Sequence, residues 1–496
     1  MAEANAVPDG RPDPASPAIS AAAPAGAWPL LGHAPALLRD PLGFLGDAYS
    51  QGPVVRIRLG RTPAYLVNDA EAIRRILVTD APGYDKGFQF DKLRVLIGDG
   101  VGTSTGDKHR RQRLLLRPAF DHAHVAGYLA EMTRCAVAEV DDWPVGGQVD
   151  AAAAARRLTM TIVSRSMFGS VSPAAAEILR SLPTLLGGVG LRALLPFRLI
   201  ERFPTPANRR FEMARARLHV AVDQVVAEHR AATSGTDGDA PASAHASAPD
   251  LLGLLLAAID EGDGSRMTDA QAHDEVMTIL LAGTETAAGA LGWALHLISL
   301  EPDLQAAVQA EVDALGPAAW MLRPSEELTA AAAAAAAATA SSITVADLAR
   351  LPLIRQILSE VLRLYPPGWV LGRRPVQDVL VGGVQIPAGT QLLLNFFGLH
   401  HDPRVFAEPS RFAPDRWRPD SPLAADPELL RTHYLPFGTG PRGCVGEPYS
   451  WSEMTVVLAV VFARFTLIPV QGQPVRPVAR TTLHPDAVPL LLEPRR

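Results

Sequence analysis

Two cysteines occur in the chain, and their surroundings differ sharply. Cys444 lies in Phe437-Gly438-Thr439-Gly440-Pro441-Arg442-Gly443-Cys444-Val445-Gly446. Its glycines permit a tight loop whose backbone can press against a flat cofactor. The cysteine comes just before an expected helix, where free N–H groups and the positive dipole end favour thiolate over thiol. A thiolate held this way, with amides donating to sulfur, suits the proximal side of a haem iron. Arg442 would then pair with a propionate, and Phe437 would pack beside the sulfur-side ring face. Cys135, in Met132-Thr133-Arg134-Cys135-Ala136-Val137, has no His or second Cys at ligand spacing and reads as core.

The loop fits F-x-x-G-x-R-x-C-x-G at every fixed position. Five fixed residues match by chance on the order of once in 10⁷ start sites. This loop resembles the haem-binding signature of the cytochrome P450 family, and three further segments resemble that family's motifs in the same order. The resemblance runs from about residue 28 to the C-terminus.

The resemblance assigns roles to named residues. Ala282-Gly283-Thr284-Glu285-Thr286 is similar to the segment crossing the oxygen side of the haem. There Gly283 would let the helix approach the ring, and a local bulge would open its backbone ladder. Thr286 resembles the hydroxyl that serves oxygen activation, and Glu285 the acid that relays protons to it. Glu360-Val361-Leu362-Arg363 places two charges on one helix face. Glu408-Pro409-Ser410-Arg411-Phe412 resembles the segment whose arginine completes a buried Glu-Arg-Arg triad. The resulting Glu360, Arg363 and Arg411 triad would be structural, fixing the cysteine loop. His109 and Arg113, at i and i+4, match the pair that grips the propionates. Arg373 resembles a further propionate partner, with Arg374 beside it an open alternative. Gly438 belongs with Cys444, Phe437 and Arg442 in the cofactor loop. Arg110, Arg111 and Arg117 are expected to stay exposed on the proximal face.

These residues need elements to hold them. The chain has 496 residues, 48% hydrophobic and 20% charged, enough apolar content for a large core. Its net charge of −6 gives no reason to expect nucleic acid. Residues 1–27 read as a disordered Ala/Pro-rich leader with neither signal peptide nor membrane anchor. Residues 53–67 read as two short strands about a turn, and residues 106–230 as helical. Residues 232–249 read as a surface loop. Thr268-Asp269-Ala270-Gln271 has the form of a capping box. It opens a helix to about Leu300, ~45 Å long and apolar almost all round, hence central. An Ala-rich insertion at 317–342 interrupts the pattern, which becomes helical again from Thr344 to Tyr365. Strands follow at 379–396, then a last helix from Gly446 to Phe465 and a Pro-broken strand region.

The fold implied is mainly α with a small β lobe (α+β): a triangular helical prism around haem b, in a single domain from residue 28 to 496. The activity implied is O₂-dependent monooxygenation, inserting one oxygen atom into an apolar small molecule such as a terpene or other secondary metabolite. Phe88, Phe90, Leu93, Leu96, Met277, Leu280, Trp369, Val370, Leu371 and Leu483 are the expected pocket lining. The stretch from Tyr84 to Phe120 also resembles actinobacterial members that oxidise sesquiterpenes such as pentalenene. No G-x-G-x-x-G follows a strand, so a separate ferredoxin and ferredoxin reductase would supply electrons. Two cysteines and no spanning segment point to the cytoplasm. Two other readings share the loop: an O₂-independent haem–thiolate isomerase or dehydratase, and a haem-based sensor or carrier.

Overall fold

The computed structural model describes residues 20–169, 172–194, 203, 205–234, 250–260, 262, 264–316 and 343–495. The Ala-rich insertion, residues 1–19 of the leader and most of the 232–249 loop lie outside them. Residues 20–27 do have a place in the fold. Ala22 bridges Val55, and the Arg56 N–H donates to the Ala22 carbonyl at 2.7 Å. The leader's final residues therefore line a sheet edge instead of ending as free chain.

The central helix spans Asp269–Ser299 and opens with the full capping box of Thr268 and Gln271. It packs against helices Ala151–Phe168, Pro206–Ser234, Pro352–Leu364 and Glu447–Arg464. Small residues allow this crowding. A Cβ on Gly292 would stand 2.9 Å from Pro485 Cγ and 3.6 Å from Ala152 Cα, so glycine admits a strand and a helix at once. Helix Ala151–Phe168 starts with five alanines, and Asp150 caps it by accepting from the Ala152 and Ala153 amides.

A five-stranded sheet forms the smaller lobe, in the order Val54–Leu59, Thr62–Val67, Gln391–Leu394, Leu371–Pro375 and Tyr84–Lys86. Only the pairing of Thr62–Val67 with Gln391–Leu394 is parallel. On the last pair of strands Lys86 stands opposite Arg373. Two cations facing each other on a sheet repel, which makes this corner worth following into the site.

The expected 344–365 helix is divided into Val345–Leu348 and Pro352–Leu364. Pro352 lacks an amide hydrogen and so begins a new helix. The final helix, Glu447–Arg464, falls where its pattern placed it. Cys135 is buried core, and burial pushes its thiol up to about 12.

Candidate functional site

The cysteine loop is shaped by two left-handed glycines, Gly438 at φ +66° and Gly440 at φ +71°. A Cβ on Gly440 would lie 2.2 Å from the Leu77 carbonyl oxygen, so this residue needs both the conformation and the space. The Cys444 amide donates to the Phe437 carbonyl at 2.8 Å, closing the loop on itself. The Arg113 guanidinium donates to the Gly443 carbonyl at 2.6 Å, tying helix Gly106–Leu116 to the loop. Phe437 leans on Trp451, with ring centroids 5.6 Å apart.

Above this loop lies a cavity of about 410 Å³. Cys444 opens onto it beside Phe437, Gly438 and Arg442, and Ala282, Gly283 and Thr286 of the central helix also line it. Cys444 is accessible from the cavity yet closely surrounded by protein. Burial pushes its thiol up to about 11, against the Gly446 amide, which donates to sulfur and pulls the other way. Burial thus opposes the thiolate that the Gly446 amide favours. A metal cation facing the sulfur would supply the missing stabilisation.

Five basic side chains meet at the cavity: Lys86, His109, Arg113, Arg373 and Arg442. Burial holds Arg373 down to about 9, with Arg442 adding repulsion. His109 is held down to about 3 by burial and by Lys86, Arg442, Arg113 and Arg373. Lys86, held well below its usual range by burial, donates to the Val101 and Gly102 carbonyls at 2.6 and 2.8 Å. Arg373 Nε and Arg442 Nη1 are buried donors without an acceptor. Orphaned cationic donors around one cavity fit a ligand that carries carboxylates. The structure also decides between the neighbouring arginines. Arg373 points into the cavity, whereas Arg374 pairs with Asp91 at 2.8 Å and Asp85 at 3.6 Å. Lys86 escaped the sequence reading; its signal was a lysine alternating into the buried face of strand Tyr84–Lys86.

On the central helix Thr278, Ala282 and Thr286 repeat at i, i+4 and i+8 along the cavity wall. The expected bulge is absent: the helix is unbroken, and the Thr286 hydroxyl donates to the Ala282 carbonyl at 2.8 Å. A Cβ on Gly283 would meet Val163 Cγ2 at 3.0 Å, so this glycine also makes room for a neighbouring helix. Glu285 is not in the cavity lining. Burial pushes its carboxyl up to about 7, opposed by the charges of Arg156 and Arg480. Met277, Leu280, Trp369 and Leu483, expected to line the pocket, are buried core residues outside its lining. Helix phase decides this for Met277 and Leu280, which sit off the 278–282–286 stripe. Phe90 and Leu371 do line it, joined by Val101, Phe120, Val163, Ile279 and Leu362.

The triad needs one correction. Arg363 donates to Glu360 through Nε and Nη2, both at 2.8 Å, with both side chains fully buried. The second arginine on Glu360 is Arg416, whose Nε lies 3.2 Å away. Trp417 Nε1 at 2.9 Å and the Ala413 amide at 3.0 Å complete its partners. Arg411 is exposed and pairs with Glu408; it contributes only its carbonyl, to Arg363 at 3.3 Å. A short 3₁₀ turn, Pro414–Trp417, delivers Arg416 and Trp417 together. The signal available was Pro414-Asp415-Arg416-Trp417, a second Pro-x-Arg-aromatic run just downstream. Support passes on to the cysteine loop through the Tyr434 hydroxyl on the Ser359 carbonyl and the Leu435 amide on His400.

Of the proximal arginines, Arg110 and Arg117 are exposed as expected. Arg111 instead pairs with Asp260 at 2.5 Å, fastening a surface turn. Arg355, also exposed, stacks its guanidinium 3.2 Å from the Trp451 ring centre.

Comparison with known proteins agrees with this geometry. The family model described as Cytochrome P450 matches residues 23–491. The chain is similar to a cyclooctatin synthase of Streptomyces melanosporofaciens, 35% identical over 473 residues and 95% of each protein. It is 32% identical to a pentalenene oxygenase of Streptomyces avermitilis over 477 residues, 95% of this chain and 96% of that one. Among solved structures, the crystal structure of a cytochrome P450DA heme domain matches with a TM-score of 0.77 at 25% identity, covering 97% of this chain and 99% of the other.

Proposed function

The chain belongs to the cytochrome P450 family, and from that premise we propose that it is a terpene-oxidising enzyme with Cys444 as the axial ligand of its haem. It is a monooxygenase whose cofactor is haem b. The observation that carries the residue assignment is the pair of buried arginine donors without an acceptor, Arg373 Nε and Arg442 Nη1, at the cavity onto which Cys444 opens. Cys444 would hold the iron, with Phe437 and Gly438 shaping the loop beside it. His109, Arg113, Arg373 and Arg442, with Lys86, would hold the propionates. Haem b supplies oxygen activation, in which one atom of O₂ enters the substrate, the other leaves as water, and two electrons and two protons are consumed.

The chain's own part is positioning, exclusion of water and delivery of protons. Thr286 presents a hydroxyl to the cavity wall. Glu285, with a carboxyl near neutrality at about 7, can take a proton from the Arg156 and Arg480 side and pass it on. The Glu360, Arg363 and Arg416 cluster holds the loop and takes no part in chemistry. The lining offers Phe90, Val101, Ile279, Ala282 and Leu371 to a substrate, an apolar surface that gains affinity by burial. That lining and the names of the two relatives support a terpene. Electrons would come from a ferredoxin and its reductase, docking where Arg110, Arg117 and Arg355 are exposed. Among the described residues no helix is long and apolar enough to cross a membrane, and both cysteines are free. A cytoplasmic enzyme fits both facts.

The test is Cys444→Ser. It should abolish the red-shifted absorption band of the reduced CO complex, because a serine oxygen cannot match the sulfur's electron donation. A variant that keeps the band overturns the ligand assignment. For the substrate, sesquiterpenes, fatty acids and macrolides are titrated against the ferric spectrum. A response to fatty acids or macrolides alone sinks the terpene reading. A product heavier by one oxygen, formed with stoichiometric O₂ and NADPH, excludes an isomerase, a dehydratase or a carrier.

A further inference from the structure

Away from the cofactor loop, two histidines form a connected titratable cluster. His219, on helix Pro206–Ser234, faces His273 of the central helix, Nδ1 to Nε2 at 2.7 Å. Their rings are parallel within 6° at 4.9 Å. On its far side His219 Nε2 meets the Leu96 carbonyl at 3.2 Å, near the end of helix Phe88–Ile97. His273 Nδ1 meets Asp223 Oδ1 at 2.6 Å. One chain of contacts thus ties three elements together, and two of them, the central helix and Phe88–Ile97, line the cavity.

We infer that this chain is a proton-set latch that controls entry to the cavity. The inference rests on reading that cavity as the substrate site. The physical argument is a count of protons. Both ends of the chain, a carbonyl and a carboxylate, can only accept. Three contacts between acceptor ends and two imidazoles need three protons on four ring nitrogens. One imidazole is then cationic and the other neutral, and Asp223 balances the charge. With two protons, one contact sets lone pair against lone pair. With four, N–H faces N–H across the 2.7 Å central contact. All three hydrogen bonds exist in one protonation state alone.

The surroundings place the extra proton. Burial, then His273, disfavours a charge on His219, whereas His273 has the Asp223 carboxylate at its far nitrogen. Asp223 is 70% exposed, which gives solvent protons a route in. Several other charged groups on these elements have their own engagements. Arg215 pairs with Glu212 and reaches the Val95 carbonyl at 3.5 Å. Asp274 and Glu275 accept from the Asp99 and Val101 amides. Arg94 pairs with Asp99 and Asp91, and Lys92 completes the set on its helix. The latch therefore opens as pH rises and the pair loses its third proton. It opens again in acid, when His219 gains one.

The experiment uses the haem-loaded, dithionite-reduced protein and n-butyl isocyanide, a ligand with no titrating group, as the probe, with its association rate followed at about pH 5 to 9. The rate should pass through a minimum in wild type and rise ~10-fold on the alkaline side, the scale of one lost hydrogen bond to a charged group. His273→Gln should bind at the fast rate with a flat profile. A variant profile that keeps the wild-type minimum overturns the latch. Hydrogen exchange on wild-type protein, read over residues 206–234 and 88–97, needs neither a variant nor bound haem. Protection should peak at the same pH, and protection independent of pH overturns the proposal. If the loaded protein lacks a thiolate spectrum, the functional reading fails by itself and hydrogen exchange still decides the latch.

Discussion

The Thr286 hydroxyl already donates to the Ala282 carbonyl, so to act in the cavity it must exchange that bond for another. Thr286→Ala removes the hydroxyl together with the γ-methyl and leaves the helix intact. Product formed per NADPH should fall by at least ~10-fold, since a positioned acid contributes ~10²–10⁴, with the missing electrons recovered as peroxide. Unchanged coupling would take Thr286 out of the mechanism. Glu285 makes a prediction with a sign. Its carboxyl, pushed up to about 7 by burial, is protonated and able to donate below that pH. Coupled turnover should therefore fall as pH rises through about 7, and Glu285→Gln should flatten the profile. Linkage has the same direction. The stability contributed by this raised group is fully present below the unfolded carboxyl range near ~4.3 and is lost as pH rises through the folded value.

Between elements, the cysteine loop and the Glu360 cluster each depend on a few specific contacts. Gly438→Ala meets no atom nearer than Gly443 Cα at 3.9 Å, so only its φ costs, ~1–2 kcal/mol. Gly440→Ala adds the collision with the Leu77 carbonyl and should cost clearly more. Denaturant melts and haem retention of the two variants check the order; equal losses would contradict it. Arg416→Ala leaves the buried Glu360 short of a partner and should cost a few kcal/mol, towards the low end of ~3–5. Arg411→Ala, an exposed pair with Glu408, should cost under ~1 kcal/mol. Reversed magnitudes would restore the arginine that the sequence favoured. That misreading has a clear cause. Both segments offer Pro, Arg and an aromatic, and only the turn at Pro414–Trp417 decides which guanidinium reaches Glu360.

For the molecule as a whole, the net charge of −6 conceals a face that carries exposed Arg110 and Arg117. If an acidic ferredoxin docks there, its reduction of the haem should slow steeply as salt rises, because exposed charges are screened beyond ~8–10 Å at physiological ionic strength. Arg117→Glu should weaken the docking and flatten the salt dependence. Reduction by dithionite, which needs no docking, should stay unchanged. A salt-independent rate with ferredoxin would move the docking site elsewhere.

The sequence by itself was enough for the family, the cofactor loop and the central helix. A five-residue signature, a capping box and an apolar run are local patterns, and local physics reads them directly. The resemblance also pointed to His109, Arg113, Arg373 and Arg442, which the structure brings to one cavity. Tertiary structure decided what spacing leaves open. It brought Lys86 opposite Arg373 across two strands, chose Arg416 over Arg411, and turned Met277 and Leu280 from the pocket into the core. It also joined His219 to His273, 54 residues apart in the chain. Such pairings depend on which faces of separate elements meet. Packing against distant segments sets that, and no window of neighbouring residues contains it.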